Sequence, residues 1–551
     1  MKANTTRRIK QSALIIGSAL LAQSAWASGY HFGTQSVSSQ STANSSAAEA
    51  ADPSTIFYNP AGLTKLEGTQ ATINLNIVAP NVKYKDGKAY YPDGSEITRA
   101  PDGSANVERD GKITDDVVIA PHGYISHQVN DKVWLGFGMY VPFGSGTEYD
   151  ENSVLRYNLN ELSLRTIALQ PTVAYKVNEQ HSVALGVVAQ NSKAKLRQYA
   201  NFGPAVAGSL RNTGSQIATG LTQVASGIQQ VQSGIAATEA AGGDTTALQA
   251  QLTALQTQQA TLTAQQAAVG GALANATANS PVGNGAADGY AKVKGDDWGF
   301  GYNLAWMWDI NERARVGVNY RSKVDHNLSG DAEWHLVGPG FANPVLAPTI
   351  RGAGYAEKED ASVKITTPES LSLHGMYKID PKWNVYGDVT WTRHSRFNQA
   401  HLKYGNAKVV VDPTTGGQTR SDETILNPNW RNTYKVAVGT SYQYSEPLQL
   451  RFGVAYDQSP VKSADYRMTT LPDSNRIWLS FGAKYDINKQ HSINAAYSHL
   501  FIQNASANVN GWCGGTQSGT GSKACVSSRT NGSVNFKSSA NILGLQYTYK
   551  F

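Results

Sequence analysis

Two basic side chains, Arg431 and Lys435, lie on one face of a strand-like stretch that covers residues 431–444. Successive side chains of a strand point to opposite sides, so Tyr434 and Val436 occupy the other, apolar face. In a region of low dielectric constant, guanidinium and ammonium groups can bind the carboxylate headgroup of an amphiphile. The alternative for Arg431 is an ion pair with another segment of the chain.

Other chemistry finds little support in the sequence. The chain has 551 residues and 11 histidines, but no G-x-S-x-G motif that would activate a serine nucleophile. We therefore predict no catalytic residue, and we expect neither a metal site nor a cofactor. The formal net charge of +6 is small for this length and no long basic block is present, which argues against a nucleic-acid partner.

The N-terminus has the pattern of a secretory signal peptide. Basic residues precede the apolar run 13–22, and Ala25-Trp26-Ala27 offers small side chains for cleavage, so residues 1–27 are predicted to be removed before Ser28. A membrane anchor is the weaker alternative because the apolar run is short. No run of about 20 apolar residues follows, which excludes a helical membrane protein and leaves an exported soluble protein or a transmembrane barrel.

Both cysteines, Cys513 and Cys525, lie in one stretch that is rich in glycine and serine. In an oxidising compartment they would close a loop as a disulfide. Two free thiols are the alternative, and the export signal favours the disulfide.

Six short polar connectors divide the chain into strand-like runs. Asn, Asp and Pro dominate them, which is turn chemistry. Six turns on one side join seven hairpins, and seven hairpins contain 14 strands with seven long loops on the other side. This is the build of an antiparallel transmembrane β-barrel. The connectors are Asn130-Asp131, Asn178-Glu179-Gln180, Asn311-Glu312, Asp380-Pro381, Ser445-Glu446-Pro447 and Asn488-Lys489.

The faces of the strands agree with a wall that spans a membrane. Over residues 476–487, Leu479 and Phe481 share one face with other apolar residues, whereas polar and small residues share the opposite face. Such alternation places apolar side chains toward lipid and the others toward the lumen. A soluble sandwich also alternates, but its apolar faces pack together. The basic residues that face inward by the same parity, and that we expect in salt bridges, are Arg451, Arg476 and Lys484.

The chain ends LGLQYTYKF, with Leu545, Tyr547, Tyr549 and Phe551 on one face. This stretch is predicted to be the last strand, which closes the barrel over residues 67–551. A terminal aromatic residue also resembles the signal that outer-membrane barrels present to the barrel-assembly machinery.

Residues 28–66 lack the strand pattern and are mostly small and polar before they reach Phe57, Tyr58, Asn59 and Pro60. A barrel of about 14 strands has a lumen too wide for its own side chains to fill. We therefore expect this segment to fold inward as a hatch, with Phe57 and Tyr58 at a pocket or against the wall and Asn59-Pro60 in a turn. The alternative is a disordered periplasmic tail.

The third long loop, residues 199–292, carries helical periodicity. Apolar residues recur at spacings of 7, 4, 3, 4, 3 and 4 over residues 210–235, and a second stripe covers residues 248–273. We predict a helical hairpin that packs as an antiparallel pair. Three glycines in the first helix each weaken it by about 1 kcal/mol relative to Ala, so pairing must stabilise it. The simplest role for this hairpin is a structural cap without a ligand.

Residues 138–146 read GMYVPFGSG and continue a regularly alternating strand. Pro142 has no N–H to donate, so it belongs at edges, strand starts or bulges, and a closed barrel has no edge. Gly144 permits a bend. We predict that Val141, Pro142, Phe143 and Gly144 kink the third strand and open the wall sideways. The alternative is that Pro142 lies in the loop above the membrane.

Several short motifs follow one another in a fixed order along the mature chain. They are Ala48-Glu49-Ala50-Ala51-Asp52, Phe57-Tyr58-Asn59-Pro60-Ala61-Gly62, Asp297-Trp298-Gly299-Phe300-Gly301, Tyr320-Arg321-Ser322, Pro368-Glu369, Asp457-Gln458-Ser459-Pro460-Val461 and Leu471-Pro472-Asp473, with Arg476 and Trp478-Leu479-Ser480. Together they resemble the outer-membrane long-chain fatty-acid transporters of the FadL/TodX type. The resemblance covers nearly the whole mature chain apart from the helical loop.

The resemblance implies a 14-stranded barrel with a hatch in its lumen, located in the outer membrane of a Gram-negative bacterium. It also implies passive uptake of hydrophobic compounds, most directly long-chain fatty acids, which meet a groove among the loops, enter a pocket at the hatch and leave sideways at the kinked third strand. Aromatic or alkane hydrocarbons are the alternative ligands, and a general porin is a further alternative that the plug disfavours. Outer-membrane lipid and lipopolysaccharide are expected neighbours of a monomer.

The resemblance also implies a basic ligand contact at Arg431 and a second one late in the fifth strand. There the sequence departs from the family. Parity from Val183 and Leu185 puts Gln198 inward and Arg197 outward, and Lys195 has the same outward parity. A carboxylate would then meet a single cation, or the ligand would be less acidic.

Overall fold

The computed structural model describes residues 31–92, 94–278, 285, 287–342, 344, 346–411, 417–513 and 523–551. They form a closed, 14-stranded antiparallel β-barrel, as the turn count predicts. The first and last strands pair with each other from Gln70 opposite Lys550 to Tyr90 opposite Asn531, which closes the wall. The predicted signal peptide, residues 1–27, and Ser28 lie outside the described residues.

The wall strands follow one another in chain order around the barrel, and each is hydrogen-bonded to its neighbours. They are β1 Thr69–Tyr90, β2 Val118–Gln128, β3 in two parts Val133–Tyr140 and Gly144–Glu148, β4 Glu161–Lys176, β5 His181–Asn201, β6 Asp288–Asp309, β7 Ala314–Arg321, β8 Ser370–Lys378, β9 Trp383–Thr392, β10 Thr433–Gln443, β11 Leu448–Asp457, β12 Arg476–Asp486, β13 His491–Ile502 and β14 Asn531–Lys550.

The six predicted turns all connect neighbouring strands at one end of the barrel. At the first of them, the Asn130 side-chain oxygen accepts hydrogen bonds from the backbone N–H groups of Lys132 (2.9 Å) and Val133 (3.0 Å). This Asx turn fixes the reversal without a long loop. The same arrangement recurs at Asn178, Asn311, Asp380 and Asn488.

The predicted alternation of the strands is confirmed by their burial. Outward side chains such as Leu545 and Phe481 are about half exposed, while inward ones such as Ser480 and Gln546 are buried. Because the outward residues are apolar and the inward ones polar or small, the exposed band is a lipid-facing surface.

The lumen is filled by residues 31–66, which we call the hatch. They contain the short helices α1 Val37–Gln40 and α2 Thr55–Tyr58 and the 3-10 turns Ala47–Glu49 and Pro60–Lys65. Inward glycines make room for them: a Cβ added at Gly453 would lie 2.1 Å from the Thr42 carbonyl carbon, and one at Gly439 would lie 2.4 Å from Ser45 Oγ. The small residues of the wall therefore match the path of the hatch backbone.

The third loop is shorter than the predicted range 199–292. Tyr199 pairs with Tyr290 and Asn201 with Asp288, so β5 and β6 extend beyond the expected ends and the loop covers residues 202–287. The extra length of β5 and β6 was not evident from the sequence, because the first helix of the loop begins only two residues after β5 ends.

The extracellular loops build a cap above the wall. Its strands are Gly111–Lys112, Val324–Leu336, Lys358–Thr367, Ala400–Val411, Gln418–Asn427, Ala505–Val509 and Cys525–Val526, and its helices are α3 Gly203–Ala240, α4 Thr246–Ala278 and α5 Leu346–Gly352. Short 3-10 turns complete it at Arg156–Asn158, Pro339–Ala342, His394–Arg396 and Ala464–Tyr466. A disulfide joins Cys513 and Cys525 in the last loop.

Helices α3 and α4 form the predicted antiparallel hairpin. The glycines of α3 face apolar side chains of α4: a Cβ at Gly220, Gly227 or Gly234 would contact Leu262, Leu255 or Leu248 at 3.5–3.8 Å. The glycines that weaken the isolated helix therefore let its partner approach closely. No described helix is both long and apolar enough to cross a membrane.

Candidate functional site

The wall is interrupted in its third strand. The lower part of β3 ends at Tyr140 and the upper part begins at Gly144, so Val141, Pro142 and Phe143 lie between them. The lower part pairs with β2 and β4, whereas the upper part pairs with β4, and no described residue of β2 pairs with it. The interruption lies within the wall, and Pro142 is buried. We call these three residues the β3 break.

The hatch satisfies the backbone groups that the β3 break leaves unpaired. Pro142 has no N–H, and its carbonyl oxygen accepts a hydrogen bond from the backbone N–H of Phe32 (2.9 Å). The Val141 carbonyl accepts one from Gln35 Nε2 (2.7 Å). In lipid, an unsatisfied backbone group costs several kcal/mol. The hatch therefore takes the place of a neighbouring strand at this point.

His31 links the β3 break to the centre of the lumen. It forms an antiparallel bridge with Phe143, and their rings lie 5.4 Å apart. Burial, followed by the nearby charges of Lys435, Arg321 and Arg476, lowers the pKa of His31 to about 3. The imidazole is therefore neutral at physiological pH and adds no charge to the lumen.

The remainder of the hatch is held by charged contacts. Arg451 binds both carboxylate oxygens of Glu49, at 2.8 and 2.9 Å, and also donates to the Ser38 carbonyl. Arg315 donates to the Ala48 carbonyl at 3.1 Å. Lys65 pairs with Asp309. By contrast, residues 31–35 make backbone, amide, hydroxyl and ring contacts, and they form no ion pair with the described part of the chain.

The hatch aromatics pack against the wall. The Phe57 ring contacts Tyr140 at 5.0 Å, and the Arg321 guanidinium lies 4.4 Å above it. The Tyr58 hydroxyl accepts from the Gln35 N–H (2.8 Å) and donates to Asn44. The sequence allowed either a pocket or packing for these rings, and the contacts are those of packing.

Asn59 and Pro60 shape the turn expected of them. The Asn59 side chain accepts a hydrogen bond from the Ala61 N–H at 3.0 Å, and Pro60 opens the following 3-10 turn. Asn59 Nδ2 also lies 2.8 Å from His374 Nε2, which anchors the turn to β8.

Lys435 faces the lumen, as parity predicts, and its ammonium group lies 4.7 Å from the centre of the Trp478 ring. No carboxylate of the described chain lies within 4.0 Å of it, although Asp457 is directly opposite Lys435 in the strand register and Asp388 also acts on its charge. The indole N–H of Trp478 is buried and has no hydrogen-bond partner among the described residues. A cation and an unused donor therefore lie side by side, which is the chemistry that binds an anion. We call Lys435 and Trp478 the anion site.

Arg431 lies just before β10, above Lys435. Its Nε donates to the Ser459 carbonyl at 3.1 Å, and its backbone N–H donates to the Pro460 carbonyl. The alternative for Arg431, an ion pair with another segment, is not formed within the described chain. Arg431 is therefore available as a second cation above the anion site.

Arg476 and Lys484, two of the inward cations expected in salt bridges, are paired with carboxylates. Arg476 pairs with Asp473 and lies 3.7 Å from Asp457. Lys484 pairs with Asp486 at 3.0 Å. These ion pairs compensate the charges of Arg476 and Lys484, whereas Arg321 donates only to neutral acceptors, among them the Phe57 carbonyl.

The fifth strand lacks a lumen cation, as its sequence predicts. Gln198 points inward and donates to the Tyr157 carbonyl at 3.0 Å. Arg197 pairs outside with Glu148 and Glu151, and Lys195 pairs with Glu161. The anion site therefore has no basic contact from β5.

An apolar cavity of about 100 Å³ lies in the outer half of the barrel, between the wall and the cap. Phe143 of the β3 break belongs to the same buried cluster as the residues around this cavity. Side chains in contact with one another therefore connect the lining of the cavity to the β3 break. Its apolar lining includes Leu162, Leu164, Leu196, Val293, Leu402 and Leu471.

A chain of contacts connects this cavity to the anion site. Phe397 lines the cavity and packs against Trp430 with ring centres 5.2 Å apart. His394 also contacts Trp430, and its Nδ1 is 2.9 Å from the hydroxyl of Thr433. Thr433 is two residues from Lys435, on the same face of β10. These packed side chains lie between the apolar cavity and the anion site.

A second cavity, of about 180 Å³, lies under the helical hairpin. Phe202, Trp334 and Tyr404 line it together with Lys408. The ammonium of Lys408 is 2.7 Å from a Glu359 oxygen and 4.1 Å from the centre of the Tyr404 ring. Its charge is already compensated, which distinguishes it from Lys435.

Sequence reasoning missed Trp478 and His31 as parts of the site. Trp478 carried a signal, because it is a large aromatic residue on a lumen face otherwise occupied by small or charged residues. His31 carried none, since its role follows from a bridge to Phe143, more than a hundred residues along the chain.

Comparison with known proteins supplies the family. A model described as outer membrane protein transport protein (OMPP1/FadL/TodX) matches residues 18–551. The protein NMB0088 of Neisseria meningitidis serogroup B, whose name calls it an outer membrane protein, is 46% identical over 99% of this chain and 100% of its own. A long-chain fatty acid transport protein of Escherichia coli O6:H1 is 24% identical over 90% of this chain and 91% of its own.

A solved structure agrees with the fold. The crystal structure of a Pseudomonas aeruginosa FadL homologue superimposes with a TM-score of 0.70, at 21% identity, over 95% of this chain and 100% of that one. At this identity the likeness supports the barrel architecture.

Proposed function

Because the chain belongs to the outer membrane protein transport family (OMPP1/FadL/TodX), we propose that it takes up long-chain fatty acids by passive diffusion. Members of this family are transporters and channels for hydrophobic compounds in the outer membrane of Gram-negative bacteria. The proposal concerns the ligand and the route that it follows through this barrel.

The observation that carries the proposal is the anion site. Lys435 lies near Asp457 and Asp388 but forms no ion pair within 4.0 Å with either, and the Trp478 N–H beside it lacks an acceptor among the described residues. The carboxylate of a fatty acid would form the close ion pair that Lys435 lacks and accept from the Trp478 N–H. A neutral hydrocarbon would leave both unsatisfied.

The apolar cavity would hold part of the tail. Its walls offer aliphatic side chains and few polar groups, and it lies on the outer side of the anion site. The driving force is the burial of apolar surface, at roughly 25 cal/mol per Å² removed from water. Since the same force acts when the tail enters lipid, no energy source is required.

The β3 break is the proposed exit. In the structure, the hatch residues His31 and Phe32 occupy it. A ligand that leaves sideways must displace them, and the absence of ion pairs in residues 31–35 makes this end of the hatch easier to move than the end held by Arg451. The rest of the hatch would continue to fill the lumen.

The test compares oleate with toluene uptake in cells that lack their own transporter. Lys435→Met is expected to reduce oleate uptake at low concentration by about tenfold, the effect of losing one charge-assisted contact. Toluene uptake should not change. Lys435→Arg should retain most of the oleate uptake. Lys484→Met is the matched control, because that lysine already has Asp486 as its partner.

Two results would overturn the fatty-acid proposal. Equal oleate uptake by wild type and Lys435→Met would remove the anion site from the route. Uptake of toluene without any uptake of oleate by the wild type would favour hydrocarbons as the ligands.

A further inference from the structure

Like charges face each other on the outer surface of the wall. In the strand register, Arg165 of β4 lies directly opposite Lys193 of β5, and Lys195 of β5 lies directly opposite Lys294 of β6. Like charges in such cross-strand pairs destabilise a sheet. We call these four residues the outer cationic patch.

The wall neutralises the outer cationic patch only in part. Lys195 pairs with Glu161 at 2.5 Å, and Lys294 lies 3.7 Å from Glu333. Arg165 and Lys193 have no ion pair and no side-chain hydrogen bond within the part of the chain that the structure describes. Asp296 is opposite Lys193 in the register, but its carboxylate does not come within 4.0 Å of that ammonium group.

The neighbouring residues indicate where the outer cationic patch lies relative to the membrane. Trp298 and Phe300 follow Lys294 on the same outward face of β6 and are 50% and 70% exposed, as expected at the edge of the lipid band. The short turn 178–180 at the other end of β4 and β5 faces the periplasm. The patch therefore lies at the surface of the outer leaflet, immediately above lipid-facing residues.

A second row of like charges lies on the other side of the third strand. Lys83 of β1 is opposite Lys537 of β14 and also opposite Lys112 of the cap. Lys112 pairs with Asp116, whereas Lys83 and Lys537 have no ion pair within the described residues. Unpaired cations thus recur on the extracellular part of the outer surface.

From these observations we infer that the outer cationic patch binds the phosphate groups of lipopolysaccharide. Lipopolysaccharide forms the outer leaflet of this membrane and carries its phosphates at the membrane surface. Guanidinium and ammonium groups bind phosphate through charge-assisted hydrogen bonds. Bound phosphate would relieve the repulsion within the two like-charged pairs. Lys195 and Lys294 also line the apolar cavity described above, whereas Arg165 and Lys193 do not, and lipopolysaccharide binding is measured without any fatty acid.

The test measures binding of purified lipopolysaccharide to the full-length, delipidated barrel in detergent by native mass spectrometry. The variant changes Arg165, Lys193, Lys195 and Lys294 to Gln. Its matched control changes Lys132, Lys378, Lys382 and Lys489 to Gln, which removes the same charge at the periplasmic end. We expect about tenfold or greater loss of affinity in the first variant and none in the control.

Further binding measurements identify which chemical group of the lipid the outer cationic patch binds. Lipopolysaccharide whose lipid A has been dephosphorylated should bind the wild type as weakly as the intact lipid binds the patch variant. Equal affinity of the patch variant and the control would overturn the inference. So would equal binding of phosphatidylglycerol vesicle lipid and lipopolysaccharide, or displacement by inorganic phosphate alone. Retained heat-modifiable migration of both variants confirms that the barrels are folded.

Discussion

Lys435 is set apart from the neighbouring cations by what surrounds it. Arg451 meets Glu49, Arg476 meets Asp473 and Lys408 meets Glu359, whereas the ammonium of Lys435 faces an aromatic ring. Cation–π contact contributes only about 0.5–2 kcal/mol, which compensates a buried charge poorly. Asp457 and Asp388 are nearby but form no ion pair with Lys435 within 4.0 Å, so a bound carboxylate would supply the close contact that it lacks.

The ion pair between Arg451 and Glu49 is predicted to hold the hatch in the lumen. Arg451→Met leaves Glu49 without its partner, and breaking a buried pair costs about 3–5 kcal/mol. We expect a lower unfolding temperature and a larger ion conductance in planar bilayers than the small value of the wild type. Glu49→Gln combined with Arg451→Met should recover part of the stability. A single variant that conducts like the wild type would show that the hatch is held elsewhere.

At the scale of the strand, Pro142 prevents the two parts of β3 from joining. The double change Pro142→Val with Gly144→Val restores a donor and removes the flexible glycine, so the strand should straighten and pair with β2. We expect slower oleate uptake with folding intact, measured in the same transporter-deficient cells. Pro171→Val in β4 is the control, because the pairing of β4 with the lower part of β3 is continuous at this proline, although its pairing with β5 skips residues 170 and 171. Unchanged uptake in the double variant would mean that ligand does not pass the break.

The helical hairpin depends on its glycines. Gly227 lies 3.5 Å, measured from an added Cβ, from a Leu255 methyl group, so Gly227→Leu should force α3 and α4 apart. We expect faster cleavage of the hairpin by a protease with no change in the barrel's heat-modifiable migration. The exposed Gln229→Leu serves as the control and should be cleaved at the wild-type rate. Equal cleavage of all three proteins would show that helix pairing does not limit hairpin stability.

Most of the architecture could be predicted from interactions between residues that are close in the sequence. The Asx turns at Asn130 and its counterparts act over two or three residues, and strand parity acts over neighbours, so 14 strands and the inward face of Lys435 could be predicted. The environment of Lys435 could not, because Trp478 reaches it from another strand. The contact between Phe32 and Pro142 was equally hidden, since nothing local to either residue encodes it.

At the scale of the whole molecule, hatch and wall form one closed surface at the β3 break. The pair His31→Cys and Phe143→Cys should form a disulfide there, because antiparallel bridged residues lie within reach of one. Oxidised cells are expected to lose oleate uptake, and mild reduction should restore it. Each single variant, treated in the same way, controls for the native Cys513–Cys525 bond. Full uptake with the cross-link formed would show that this end of the hatch does not move during transport.

The hatch also sets the order in which the protein can assemble. The backbone N–H groups of Val37 and Ser38 donate to Gln546 Oε1, across 509 and 508 residues of chain. Contacts of such separation carry a large loop-closure cost and form late. The lumen can be sealed only after β14 has joined β1, so an unfinished barrel is an open pore. We therefore expect sealing to follow closure of the barrel, and a chain stalled before its last strand to make the membrane leak.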